Sequence, residues 1–218
     1  MSLAALLLLS YLLGAFPSAV VFGKLFRDVD VRKHGSGNAG GTNAWRVLGW
    51  RIGLPVMVVD VAKGALAAAA ISRLPLGPLP VNVETAALLC GLAAVLGHVF
   101  PVYTRFRGGK GVAAGAGMLL ATAPVPAAVA LGVFAAAVFI SGRVSLGSIL
   151  AALSLPASIV ALDGWSAVRA SPLLFSLTTC LALFILVTHR TNLARLVRGE
   201  ERGFPKLQLW RKILRPRP

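Results

Sequence analysis

Charge is scarce in this sequence, and negative charge scarcest of all. Of the 218 residues only 13% are charged, and 7 acidic residues stand against 22 basic ones. With so few carboxylates, spread along the chain, no cluster of acidic or histidine ligands for a divalent metal can be assembled. Cysteine is nearly absent. Cys90 and Cys180 each lie in an apolar stretch, where a free thiol behaves as a small hydrophobe, so neither a disulfide framework nor a CxxC metal site is available. What is abundant is apolar surface: 57% hydrophobic residues and a mean hydropathy of +0.80. A net charge of +15 would suggest nucleic acid in a soluble protein. In a chain this apolar it reads instead as the basic bias of cytoplasmic loops, and nucleic acid is excluded as a partner.

The apolar residues come in blocks. A helix crossing the hydrocarbon needs about 20 of them, because each residue advances the axis only about 1.5 Å. Runs of that kind lie near residues 2–23, 52–71, 84–103 and 172–189. The stretch 112–141 is too long for one crossing and contains Ala123-Pro124-Val125-Pro126, where proline removes backbone donors, so it reads as two short spans. Residues 146–162 make another. The fold class expected is therefore an all-α integral membrane protein with about seven transmembrane helices, a single domain over 1–218. The first run lacks the basic n-region of a cleaved signal peptide and is read as a retained first helix. With the N-terminus outside and the C-terminus cytoplasmic, nineteen of the basic residues fall on inner segments, Arg73 and Arg169 fall outside, and Lys63 lies within a span. Seven crossings is the count that satisfies the positive-inside rule.

Three inner loops, at 34–49, 97–117 and 189–203, carry more than a spacer requires. In HGSGNAGGTNAWRVLG four glycines, Ser36, Thr42, Asn38 and Asn43 fall within ten residues, a flexible backbone rich in donors that can fold around an anion. Thr42-Asn43 can cap a short helix running through Arg46, its N-terminus aimed at the bound group. The literal GxGxxG at Gly35, Gly37 and Gly40 is a decoy, because it follows RDVDVRKH rather than an apolar strand. In GHVFPVYTRFRGGKGVAAGAG, Lys110 stands among Gly108, Gly109 and Gly111 just before a helix, an arrangement suited to a phosphate; with Gly111 next, it is no Walker motif. In HRTNLARLVRGEERG, His189 and Asn192 at i, i+3 share a helical face.

SGNAGGTNAWRVLG, GHVFPVYTRFRGGKGVA and HRTNLARLVRGEE, in this order and at these separations, resemble the signature loops of the acyl-phosphate-dependent glycerol-3-phosphate acyltransferases, the PlsY type. SGRVSLGS at 141–148 is similar to a further element of that family. The resemblance implies a metal-independent enzyme without cofactor in the bacterial cytoplasmic (inner) membrane, its active site on the cytoplasmic side. Its reaction would move a fatty acyl group from acyl phosphate to the 1-hydroxyl of sn-glycerol 3-phosphate, giving lysophosphatidic acid and inorganic phosphate. Membrane lipids and an acyl-phosphate-producing enzyme of the PlsX type are the candidate partners. Carried onto matching positions, the resemblance implies that Ser36, Arg46 and Lys110 hold phosphate groups, assisted by backbone N–H groups of Gly37, Gly108 and Gly109. Asn38, Thr42 and Asn43 complete the first-loop set. Ser145 adds a hydrogen bond, and His189 and Asn192 position the glycerol phosphate, with His189 or a substrate phosphate accepting the proton.

Other enzyme classes fail on particular residues. An HxxxxD acyltransferase pair is absent, because the fifth residue after His34, His98 and His189 is Ala39, Tyr103 and Ala194. The aspartate cluster of a CDP-alcohol phosphotransferase is absent too. The alternative from another class, a transporter of an anionic metabolite, would need repeats with broken helices near the midplane; the polar residues here gather instead at one surface. His34 reads as a solvated loop residue and His98 as a hydrogen-bonded structural anchor. Asp60 and Lys63, at i, i+3 inside a span, read as an ion pair bracing the first loop. The tryptophans read as packing and interfacial anchors, and the basic tail Arg195–Arg217 as lying on anionic lipid.

Overall fold

The computed structural model describes residues 2–163 and 171–204. Every regular element among them is helical, as expected for a chain whose only way to satisfy its backbone in lipid is from within each segment. The chain gathers into two compact units, one over Met1–Thr122 and one over Ala123–Pro218.

In the first unit α1 (Ser2–Ala15) and α2 (Ser18–Arg27) form one apolar stretch interrupted at Phe16-Pro17. Pro17 has no N–H to continue the ladder. A 3₁₀ turn, Val31–Lys33, leads to the short helix α3 (Gly41–Leu48), then α4 (Trp50–Ala69), α5 (Val83–Val99) and α6 (Val112–Thr122). Ala19, Val31, Ala44, Leu48 and Val56 form a buried apolar cluster that seats α2, the 3₁₀ turn and α3 on α4. In the second unit α7 (Pro124–Ser141), α8 (Val144–Ala161) and α9 (Pro172–Thr188) pack in sequence, and α10 (Arg190–Val197) follows α9 after a bend of 65°.

Small residues let these helices approach closely, the usual device where lipid removes any hydrophobic gain from helix pairing. A methyl built on Gly117 of α6 would stand 1.9 Å from the Val61 carbonyl oxygen of α4, whereas one on Gly132 of α7 meets nothing within 4 Å. Gly117→Val is therefore expected to cost about 1–3 kcal/mol through overpacking, and Gly132→Val far less. Thermal unfolding of the two variants in detergent checks the contrast, and equal midpoints would refute it.

The expected runs all appear as helices, and the division of 112–141 falls at Ala123, where the prolines placed it. Among the described residues five segments are long and apolar enough to cross a membrane, six if α9 and α10 are counted together. The seventh, α6, has 11 residues and reaches only about 16 Å, short of a full hydrocarbon crossing. Trp50 is exposed at the start of α4 with the Arg51 guanidinium 5.7 Å from its ring centroid, consistent with interfacial anchoring. Trp165, Arg169, Trp210 and the tail beyond Phe204 lie outside the described residues.

Candidate active site

The first and second loops lie together in the first unit. Asp30 starts the sequence of anchors: it caps the 3₁₀ turn through the Arg32 N–H at 3.0 Å and holds the Arg32 guanidinium in a fork, Nε at 3.0 Å and Nη2 at 2.8 Å. The Arg32 side-chain hydrogen bonds outweigh the effect of burial and hold the Asp30 carboxyl at about 2. Arg32 Nη1 in turn reaches the Thr104 carbonyl of the second loop at 3.5 Å. Asn38 makes a second stitch, its amide donating to the Gly108 carbonyl at 3.3 Å.

Within the first loop Asn43 is the organiser. Its Oδ1 accepts the Ser36 N–H at 2.8 Å, and its Nδ2 donates to the carbonyls of Val31 at 2.8 Å and His34 at 3.1 Å. The side chain is 2% exposed. Expected as a substrate contact, Asn43 is instead engaged inside the loop and fixes Ser36. Helix α3 is capped by Gly40 in extended conformation with no side-chain bond, and Thr42 and Asn43 already lie in its first turn. The expected Thr42-Asn43 cap is therefore corrected: the chain turns helical two residues earlier. Ser36 and Gly37 are exposed, and Arg46 is half-buried on α3; the Gly37 N–H, expected to face a phosphate, donates instead to the His34 carbonyl at 3.0 Å.

The glycines of the second loop serve two different ends. Gly111 takes φ +87° ahead of α6, a conformation that disfavours other residues. Gly108 and Gly109 are instead needed for close approach. The Gly108 N–H donates to the Val99 carbonyl at 3.2 Å and the Gly109 N–H to the His98 carbonyl at 3.0 Å. A methyl on Gly109 would lie 2.0 Å from His98 Nε2. Their N–H groups are thus bonded to the end of α5, which corrects the expectation that they face a phosphate. Lys110 follows, half-buried.

In the second unit Ser145, His189 and Asn192 are all buried, and Ser145 and Asn192 meet on one carboxylate. His189 stands at the bend between α9 and α10, not within one helix as its spacing with Asn192 suggested. Its Nδ1 lies 2.9 Å from the Ile185 carbonyl. A carbonyl only accepts, so Nδ1 carries a proton in this contact. Ser145 in the first turn of α8 donates to Glu201 Oε1 at 2.7 Å, Asn192 Nδ2 donates to the same oxygen at 2.6 Å, and Arg195 Nε donates to Oε2 at 2.8 Å. Burial raises the Glu201 pKa, but these three donors and the Arg195 charge pull it below 4.5. The Phe204 N–H closes the loop on the Gly142 carbonyl at 2.7 Å. Sequence reasoning missed Glu201 as a site residue. The available signal was an acidic pair, Glu200-Glu201, inside an otherwise basic segment.

His34 is exposed, as expected. Asp60 and Lys63 do form an ion pair, at 2.9 Å and nearly fully buried. Its other contacts run to Phe16, Ser18 and His98, so it does not brace residues 34–49 as expected.

Comparison with known proteins agrees with these loops. The glycerol-3-phosphate acyltransferase family model matches residues 4–199. A glycerol-3-phosphate acyltransferase of Pelodictyon phaeoclathratiforme is 42% identical over 225 residues, covering 92% of this chain and 96% of that protein. One from Chlorobaculum tepidum is 42% identical over 220 residues, covering 90% and 94%. The crystal structure of PlsY (YgiH), an integral membrane glycerol 3-phosphate acyltransferase, in its glycerol 3-phosphate form superposes with a TM-score of 0.80 at 32% identity, covering 96% of this chain and 99% of that one. Its lysophosphatidic acid form superposes with a TM-score of 0.78. Loops, helices and relatives agree: the chain belongs to the PlsY family of glycerol-3-phosphate acyltransferases.

Proposed function

We propose that this chain transfers a fatty acyl group from acyl phosphate to the 1-hydroxyl of sn-glycerol 3-phosphate, releasing lysophosphatidic acid and inorganic phosphate. The observation that carries the assignment of residues is the stitching of the first loop to the second, Asn38 to Gly108 and Arg32 to Thr104. It joins the loop that carries Ser36 and Arg46 to the loop that carries Lys110, which supports a shared role for the three in holding phosphate.

The hydroxyl oxygen attacks the acyl carbonyl carbon, the bond from that carbon to the phosphate oxygen breaks, and the hydroxyl proton passes to a phosphate oxygen. Acyl phosphate is a mixed anhydride with a good leaving group, so no covalent enzyme intermediate is needed. Catalysis is then the holding of two anions together and the stabilisation of charge as it moves. Lys110, Arg46 and Ser36 hold phosphate oxygens, with Asn38 and Thr42 at the edge of the loop, while Gly37, its N–H bonded to the His34 carbonyl, shapes the turn. Gly108 and Gly109 support Lys110, and Asn43 supports Ser36. From the resemblance, His189, Asn192 and Ser145, the last two fixed by Glu201, are assigned to positioning glycerol phosphate.

The polar loops face the cytoplasm of a bacterial inner membrane, with the N-terminus outside and seven apolar segments, of which α6 is too short to span the hydrocarbon by itself. The distribution of basic residues supports this orientation. An inner-face site also suits a donor delivered by an acyl-phosphate-producing enzyme of the PlsX type, its chain remaining in lipid. Purified protein in detergent, given palmitoyl phosphate and glycerol 3-phosphate, is expected to release inorganic phosphate only when both are present. Acyl transfer from palmitoyl-CoA but not from palmitoyl phosphate would overturn the donor.

A further inference from the structure

Beneath the Lys110 turn lies a polar cluster with no part in the chemistry above. Asp60, fully buried in α4, receives Ser18 Oγ at 2.6 Å and pairs with Lys63 Nζ at 2.9 Å, both on Oδ1, and His98 Nδ1 lies 3.5 Å from the same oxygen. Lys63 also donates to the Phe16 carbonyl at 3.1 Å, at the break that Pro17 makes between α1 and α2. The cluster thus ties the α1–α2 junction, α4 and the end of α5 to one carboxylate oxygen. A buried ion pair is a poor source of stability, because desolvation of both charges offsets their attraction. What it supplies is direction.

We propose that Ser18, Asp60, Lys63 and His98 form a positioning device for Lys110. Gly108 and Gly109 have no side chains, so the turn takes its place from what its backbone touches. Those contacts are the Val99 and His98 carbonyls, the Asn38 amide and the His98 ring. The ring is 6% exposed. Asp60 holds it at Nδ1, and its opposite edge, Nε2, is the surface against which Gly109 rests. A rotation of the imidazole would push on Gly109 and displace the ammonium one residue on. His98 acts through Lys110 and touches no substrate in this scheme, so the inference rests on Lys110 holding phosphate.

His98→Asn keeps an amide where Nδ1 stands and removes the far edge of the ring. In purified protein it is expected to lower kcat about 10- to 100-fold, the scale of a misplacement near 1 Å, with the thermal midpoint within about 3 °C of wild type. Gly109→Ala, which leaves the ion pair intact, should lower kcat by itself. In the His98→Asn background the same change should cost little, since the methyl then has room; a merely structural role would let the two losses multiply. A kcat within twofold of wild type in His98→Asn, a loss that follows the drop in midpoint, or multiplying losses would overturn the proposal. If His98→Asn does not fold, Gly109→Ala decides: reduced kcat with an unchanged midpoint supports it, and unchanged kcat overturns it. Lys110→Met separates the two levels. Activity retained there removes the Lys110 assignment, whereas activity lost there but kept in His98→Asn removes only the positioning role.

Discussion

Lys110→Met is expected to lower kcat by about 10²- to 10³-fold, corresponding to about 2.7–4 kcal/mol of lost transition-state stabilisation. Methionine approximates the length of the stem and removes the charge. The helices around the turn contain few other charges, and in such surroundings a cation beside phosphate counts for more than in water. The measurement is steady-state phosphate release from reconstituted protein with palmitoyl phosphate and glycerol 3-phosphate. Lys110→Arg should recover only part of the rate, because a planar guanidinium does not place its charge where a compact ammonium does. A methionine variant as fast as wild type would show that the second loop is a basic turn and nothing more.

Glu201→Ala is expected to be as damaging by another route. The carboxylate is 6% exposed and receives donors from Ser145, Asn192 and Arg195. Its removal leaves two buried donors and a cation without their acceptor, a loss of about 3 kcal/mol on the scale of buried charged hydrogen bonds. Activity should fall with it, since Ser145 and Asn192 lose their orientation. The same contacts predict a pH dependence. The folded-state pKa lies below the ordinary 4.5, so the stabilisation is complete above that value and is lost as pH falls through the depressed one. Thermal midpoints of wild type should therefore decline below about pH 4.5, and those of Glu201→Gln should decline less. Identical acid profiles for the two proteins would refute this role.

Much of the fold was legible because lipid imposes simple rules. Apolar runs of about 20 residues and prolines at 124 and 126 are one-dimensional signals, and the helices fall where they indicate. The loops that matter were legible for a similar reason: glycines, cations and hydroxyls have no purpose together in a spacer. Their internal division of labour was not. Asn43 and Ser36 look alike as polar loop residues, yet one is buried with three hydrogen bonds and the other exposed. Gly109 and Gly111 sit two apart in one motif. One is required by a ring packed against it and the other by its φ angle.

What the sequence by itself determined was an all-helical membrane protein, which follows from composition, run length and local chain physics, and its family, which follows from the resemblance of its polar loops. Only the tertiary structure decided that Glu201 gathers Ser145, Asn192 and Arg195, that Asp60 and Lys63 turn toward His98 rather than the first loop, and that His189 stands at a bend. Each of those depends on which donor meets which acceptor between residues distant in sequence. A buried charge must find its partner in space, and nothing in its local sequence names that partner.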